Sequence, residues 1–178
     1  MSDLYFKLIN TSLGQTAANT LGLPAPVPLQ RLKRVDQPFI EGDVLLGAAS
    51  GGKLISELGQ VLGASAAKLY HASGDKRLVD SAKAGNRTQP MVLPLGKPGH
   101  FSALVFDASG IKTPGELSAI YQFFHASIKS LAQNGRVLVL GQPVTSCRKP
   151  AHAAAQQALE GFVRSIAKEI GRKGATAN

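Results

Sequence analysis

The chemistry available to this chain concentrates in one short stretch. Gly47-Ala-Ala-Ser50-Gly51-Gly52-Lys53-Leu54 is a run of small residues and glycines that ends in a cation. The apolar Asp43-Val-Leu-Leu-Gly47 before it reads as a buried strand. After it, Leu54, Ile55, Leu58, Val61 and Leu62 recur at helical spacing, and Gly63 can stop that helix. A glycine turn between a strand and a helix can cradle an anion, because the first N–H groups of the helix have no partner within it. The spacing Gly47-x4-Gly52-Lys53 is one residue short of a P-loop, since the position that must offer Mg²⁺ a hydroxyl is Leu54. Asp107 ends the apolar run Ala103-Leu-Val-Phe-Asp107, where such a site has its supporting acid and where a side chain can equally cap the next loop. A phosphate- or nucleotide-binding module built on the Gly47–Lys53 turn is therefore one reading of the chain.

Other chemistry is sparse. His71, His100, His125 and His152 are scattered, with no His-x3-His and no acidic pairing, so no metal site is expected. The single cysteine, Cys147, excludes an internal disulfide framework and reads as a loop thiol without a partner base. The 178 residues carry 20 Lys and Arg against 11 Asp and Glu, a net charge of +9. That favours acidic partners without naming them. No RNA-binding aromatic signature or zinc-finger spacing is present, so nucleic acid is not an expected partner. The longest apolar stretches fall far short of the ~20 residues of a membrane helix, and the N-terminus has no secretory pattern. The expectation is a cytoplasmic protein without a membrane partner.

The elements around the turn follow from periodicity. Residues 1–42 form a lead segment: a helical pattern over 1–21 that Gly14 interrupts, then an extended run through Gly22-Leu-Pro-Ala-Pro-Val-Pro28. Residues 43–178 form the main domain. Strands are expected at 43–47, 66–70, 102–107 and 136–140, with helices at about 54–63, 114–133 and 150–171. Residues 72–90 read as a polar loop or short helix, and Met91–Leu95 is too close to the next strand to be its parallel neighbour. Alternating strands and helices predict an α/β fold: a three-layer parallel sheet, degenerate Rossmann or flavodoxin-like, in the order 2-1-3-4. The fifth strand is expected beyond Asn178, and the chain is accordingly expected to be a fragment, or one domain, of a longer protein.

From residue 101 onward the chain resembles the short-chain dehydrogenase/reductase family. Ala103-Leu-Val-Phe-Asp-Ala-Ser-Gly110 sits where that family has Asn-Asn-Ala-Gly after its fourth strand, and Asn134-Gly-Arg-Val-Leu-Val-Leu140 resembles its fifth. Ala158-Leu-Glu-Gly-Phe-Val-Arg-Ser-Ile-Ala-Lys-Glu-Ile-Gly-Arg-Lys-Gly174 is similar to the helix after the catalytic Tyr-x-x-x-Lys of bacterial 3-oxoacyl-[acyl-carrier-protein] reductases. Ser2-Asp-Leu-Tyr, Ile9-Asn-Thr11, Leu21-Gly-Leu-Pro-Ala-Pro26 and Leu45-Leu-Gly47 resemble the start of the high-molecular-weight reductases of this family, which carry an extra N-terminal domain before a complete reductase domain.

The resemblance implies where catalytic groups would stand, and this chain departs there. The Tyr position falls on His152, the Lys position on Gln156, and the Ser position near Gln142. Gln156 has no charge with which to favour a neighbour's ionisation. In the cofactor turn Lys53 replaces the family's third glycine, so a dinucleotide would meet a bulky side chain. The expectation is a non-catalytic domain that binds no cofactor itself, with vestigial positions Gly47, Ser50, Gly51, Gly52, Lys53 and Asp107. Its implied partners are a C-terminal reductase domain of the same chain that uses NAD(P)H, a second copy in a homodimer, and an acyl carrier protein or acyl-CoA. An enzyme using His152 as proton donor is the competing reading.

Overall fold

The computed structural model describes residues 4–30, 35, 40, 42–65, 67–72, 88–90 and 100–178. Six parallel strands form one sheet: β1 (Asp43–Ala48), β2 (Leu69–His71), β3 (Thr88–Pro90), β4 (Phe101–Asp107), β5 (Leu131–Leu140) and β6 (Thr176–Ala177). Their order is β3-β2-β1-β4-β5-β6. The four expected strands stand in the expected 2-1-3-4 order, and a strand on each edge extends them to the Rossmann order.

Alternation along β1 and β4 builds two cores. Val44, Leu46, Ala103 and Val105 face helix α3 (Ile55–Gly63), with Ile55 and Leu62 packed on them. Leu45, Leu104 and Phe106 face the other way, toward α4 (Ser118–Ser127) and α5 (Pro150–Ile170). Phe106 is the hub of that side, with its ring centroid 5.1 Å from Phe123 and 6.1 Å from Phe124. Sheet with helices on both faces is the three-layer architecture that the sequence pattern implied.

Three boundaries differ from expectation. The long helix expected to reach Gln133 ends as α4 at Ser127, where the Ser127 and Ser130 hydroxyls donate to the carbonyls of Phe123 and Ser127. Those bonds close the helix and release the buried Leu131 to pair with Phe101. The fifth expected strand does not wait for residues after Asn178. Gly174 (φ 66) reverses the chain after α5, and β6 joins β5, with Asn178 N–H donating to Val137 O and Val139 N–H donating to Asn178 O. Residues 88–90, expected in a loop, pair with β2 as an edge strand. Such a strand needs only backbone amides and tolerates Pro90. Residues 73–87 of that loop, and the apolar Met91–Leu95, lie outside the described residues.

The lead segment begins with α1 (Leu4–Ile9) and α2 (Ser12–Leu21). The break falls at Thr11, whose hydroxyl accepts from Gly14 N–H and caps α2. Gly14 does not interrupt the pattern but sits in the first turn of α2, where a Cβ would lie 1.9 Å from Leu8 O. Further on, Asn134 (φ 57) clasps the extended run: its Nδ2 donates to Pro28 O and its Oδ1 accepts from Gln30 N–H.

At the amino ends of β1 and β4, His100 Nε2 lies 3.2 Å from the Asp43 carboxylate, and Tyr70 also hydrogen-bonds that carboxylate. Burial, then the Asp43 charge and the hydrogen bond to it, raise the Tyr70 hydroxyl above its ordinary value of about 10. The folded state thus holds this proton more tightly than the unfolded chain. The stabilisation is complete below pH of about 10 and falls as pH rises through the raised folded value. Urea titrations across alkaline pH should show that fall in the wild type and a flatter profile in Tyr70→Phe. Phe106→Ala should cost about 3–5 kcal/mol, whereas Leu138→Ala, on a half-exposed strand position, should stay within about 0.5 kcal/mol.

Candidate functional site

In a sheet of this topology ligands bind at the carboxyl ends of the strands. Here those ends bring together the turn after β1, the residues after β4 and the start of α5. The turn is tight because glycines allow it: Gly51 has φ 73, and Gly52 N–H donates to Ala49 O at 3.0 Å. Ser50, Gly51 and Lys53 face solvent, whereas Gly52 is buried.

Asp107 fills the space beneath this turn and is fully buried. Its Oδ2 accepts from Leu54 N–H at 2.8 Å, at the amino end of α3. Its Oδ1 accepts from Ser109 N–H at 2.9 Å and from the Ser109 hydroxyl at 2.6 Å. Ser109 Oγ in turn accepts from Lys53 N–H at 2.8 Å. Two backbone donors of the turn, the Leu54 and Lys53 N–H groups, are thus engaged by a carboxylate and a hydroxyl of the chain itself. Gly52 is required by the same packing, since a Cβ there would lie 2.6 Å from Asp107 Oδ2. Gly110 closes the contact from the other side: a Cβ would fall 2.3 Å from Ser50 O.

The second group of expected residues is equally engaged. Gln156 on α5 is buried, and its Nε2 donates to Ala108 O at 3.0 Å and to Ile111 O at 2.8 Å. Its Oε1 accepts from Gln142 N–H at 2.7 Å. Gln142 Nε2 donates to Ser109 O. Gln156 and Gln142 therefore tie α5 and the end of β5 to the loop after β4. His152 stands one helical turn before Gln156, half-buried, with Nε2 shielded from solvent and unpartnered. The sequence placed these three residues in one neighbourhood, and the structure joins Gln142 and Gln156 directly. Ser109 and Gly110 were not singled out as site residues, although the small Asp107-Ala-Ser-Gly110 run after a buried strand is the signal that marks them.

A shallow groove of about 380 Å³ runs beside Gln142 and Gln156, floored by Val139, Leu159 and Val163. Its acid, Glu160, is paired with Arg164. No cluster of three or more metal-ligating side chains occurs among the described residues. Cys147 lies in the loop after β5, its Sγ 3.6 Å from Pro143 O. Hydrogen bonds here hold elements together.

No protein-family model matches the sequence, and no curated protein matches it significantly. Solved structures do match. BdcA of E. coli, crystallised with NADPH, aligns over 79% of this chain and 69% of its own, at 22% identity and TM-score 0.54. A short-chain dehydrogenase/reductase from Serratia marcescens aligns over 80% and 74%, at 16% identity and TM-score 0.58. The fold is that of the short-chain dehydrogenases/reductases. The landomycin C-6 ketoreductase LanV, solved with NADP and rabelomycin, covers 77% of this chain and 74% of its own at 16% identity, TM-score 0.58. At these identities the likeness carries the fold alone.

Gln156→Leu tests how these amides act. It removes the bonds to the Ile111 carbonyl and the Gln142 N–H and one of the two bonds to the Ala108 carbonyl, which Ile111 N–H still meets, and should cost about 2 kcal/mol in urea unfolding. Gln157→Leu, on the exposed side of the same helix, should change little.

Proposed function

We propose that this chain is the non-catalytic N-terminal domain of a 3-oxoacyl-[acyl-carrier-protein] reductase. The complete protein would reduce 3-oxoacyl thioesters to 3-hydroxyacyl thioesters with NAD(P)H, in the fatty-acid metabolism of the cytoplasm. The observation that carries the reading is the buried Asp107 carboxylate, which accepts the Leu54 N–H at the amino end of α3 and so uses a donor that helix could otherwise offer an anion. Gln156 supports it: at the position of the family's lysine it spends both amide hydrogens on backbone carbonyls. The N-terminal motifs Ile9-Asn-Thr11 and Leu21-Gly-Leu-Pro-Ala-Pro26 supply the link to the larger reductases. A following reductase domain of the same chain would hold the cofactor and the proton donor. This domain would act through its surface, on that domain, on a second copy, and on an acyl carrier protein or acyl-CoA that the net charge of +9 would attract.

The exposed Lys53 at the mouth of the turn favours a second reading, a nucleotide or phosphate module. Calorimetry separates the two. The chain titrated with NADPH, NADH, ATP and inorganic phosphate should show no binding up to millimolar ligand. Micromolar affinity for a dinucleotide would overturn the non-catalytic reading. Binding of ATP or phosphate that Lys53→Ala abolishes would replace it with the second.

A further inference from the structure

The exposed side of α4 carries an aromatic pair that core packing does not require. Tyr121 and His125, four apart, stack with ring centroids 5.0 Å apart and planes at 26°. Tyr121 is nonetheless 63% exposed. The imidazole holds the phenol ring in place while much of that ring stays in water. A fixed ring facing solvent is a surface on which another planar group can stack.

Cations stand at the end of the same helix. Lys129 follows one turn after His125 and is exposed. The Lys173 ammonium donates to Leu131 O at 2.8 Å and lies 3.4 Å from Lys129 O, so it sits over the end of α4. Arg172 beside it is exposed. Arg136 Nη1 donates to the carbonyls of Asn134 at 2.6 Å and Gly135 at 3.2 Å. Gly135 packs so closely on Leu131 that a Cβ would fall 2.6 Å from Leu131 Cδ1, which brings Arg136 to the same corner. Backbone carbonyls thus position Lys173 and Arg136 before any ligand arrives, and a cation already held loses less freedom on binding an anion.

Charge and ring together select the occupant. From Ser118 to Gly174 the chain carries eight Lys and Arg against Glu160 and Glu169, and Glu160 is paired with Arg164. An acidic protein would answer the cations but leave the stacked rings unused. A single strand of nucleic acid answers both, because its phosphates repeat along the backbone and its bases are free to stack, whereas a duplex keeps its bases stacked on each other. We propose that the exposed face of α4 and the corner beside it bind single-stranded nucleic acid, with a base on the Tyr121–His125 pair and phosphates at Lys129, Arg136, Arg172 and Lys173. No sequence motif marks this surface, since α4, the start of β5 and the residues after α5 each supply part of it. It lies toward the amino edge of the sheet, and binding there does not depend on the chemistry of the carboxyl edge.

Fluorescence anisotropy of the full chain with a labelled oligothymidylate of about twelve nucleotides tests it. Binding should be micromolar at low salt, weaken as salt rises, and be tighter than to a duplex of the same length. Tyr121→Ala/His125→Ala should weaken it about tenfold with unchanged helix content by circular dichroism. Tyr121→Phe/His125→Phe, which keeps two stacked rings, should restore most of the affinity. Lys129→Gln/Arg172→Gln should lower the slope of log affinity against log salt by about 0.7 for each cation removed. Absence of binding at low salt, tighter binding to the duplex, an affinity unmoved by Tyr121→Ala/His125→Ala, or a salt slope unmoved by Lys129→Gln/Arg172→Gln would overturn the proposal. An acyl carrier protein that binds where the oligonucleotide does not, and is lost in Lys129→Gln/Arg172→Gln, would give the face to an acidic protein instead and overturn it equally.

Discussion

A buried carboxylate facing the amino end of a helix organises this molecule. Asp107 has no exposed surface, and burying a charge is costly unless hydrogen bonds and opposite partial charge compensate it. Its compensation is local: the Leu54 and Ser109 N–H groups, the Ser109 hydroxyl, and the positive end of the α3 dipole. Satisfying it requires the β1 turn and the β4 loop to touch. That contact is why residues 52 and 110 are glycines, each with too little space for a Cβ. One charge thus determines the path of two loops and the start of a helix.

The same economy appears across the carboxyl edge. Gln156 reaches from α5 to two carbonyls after β4, and Gln142 reaches from the end of β5 to a third. Gln142 and Gln156 act here as braces between elements. A sheet with helices on both faces is stable whatever its edge does. Its edge has been turned inward, with donors and acceptors spent on each other.

Much of this was legible in the residues. The apolar runs at β1 and β4, the helical spacing after Gly52 and the long α5 pattern followed from periodicity alone, because each buries a continuous face. The extent of β5 was not legible: Leu131 to Gln133 continue the apolar spacing of α4, and only the serine back-bonds and pairing with Phe101 decide that the helix stops. β3 has no apolar signal to read, since an edge strand is held by backbone groups that every residue carries. The Asn134 clasp on Pro28 and Gln30 joins residues more than a hundred positions apart, a contact no local pattern encodes.

The residues by themselves determined the class of fold and the glycine turn, for these depend on residue type and spacing. Tertiary structure alone decided what took over. Whether the N–H group at the start of α3 awaits a ligand or is already met depends on which distant side chain folds beneath it, and here Asp107, fifty-three positions away from Leu54, meets it.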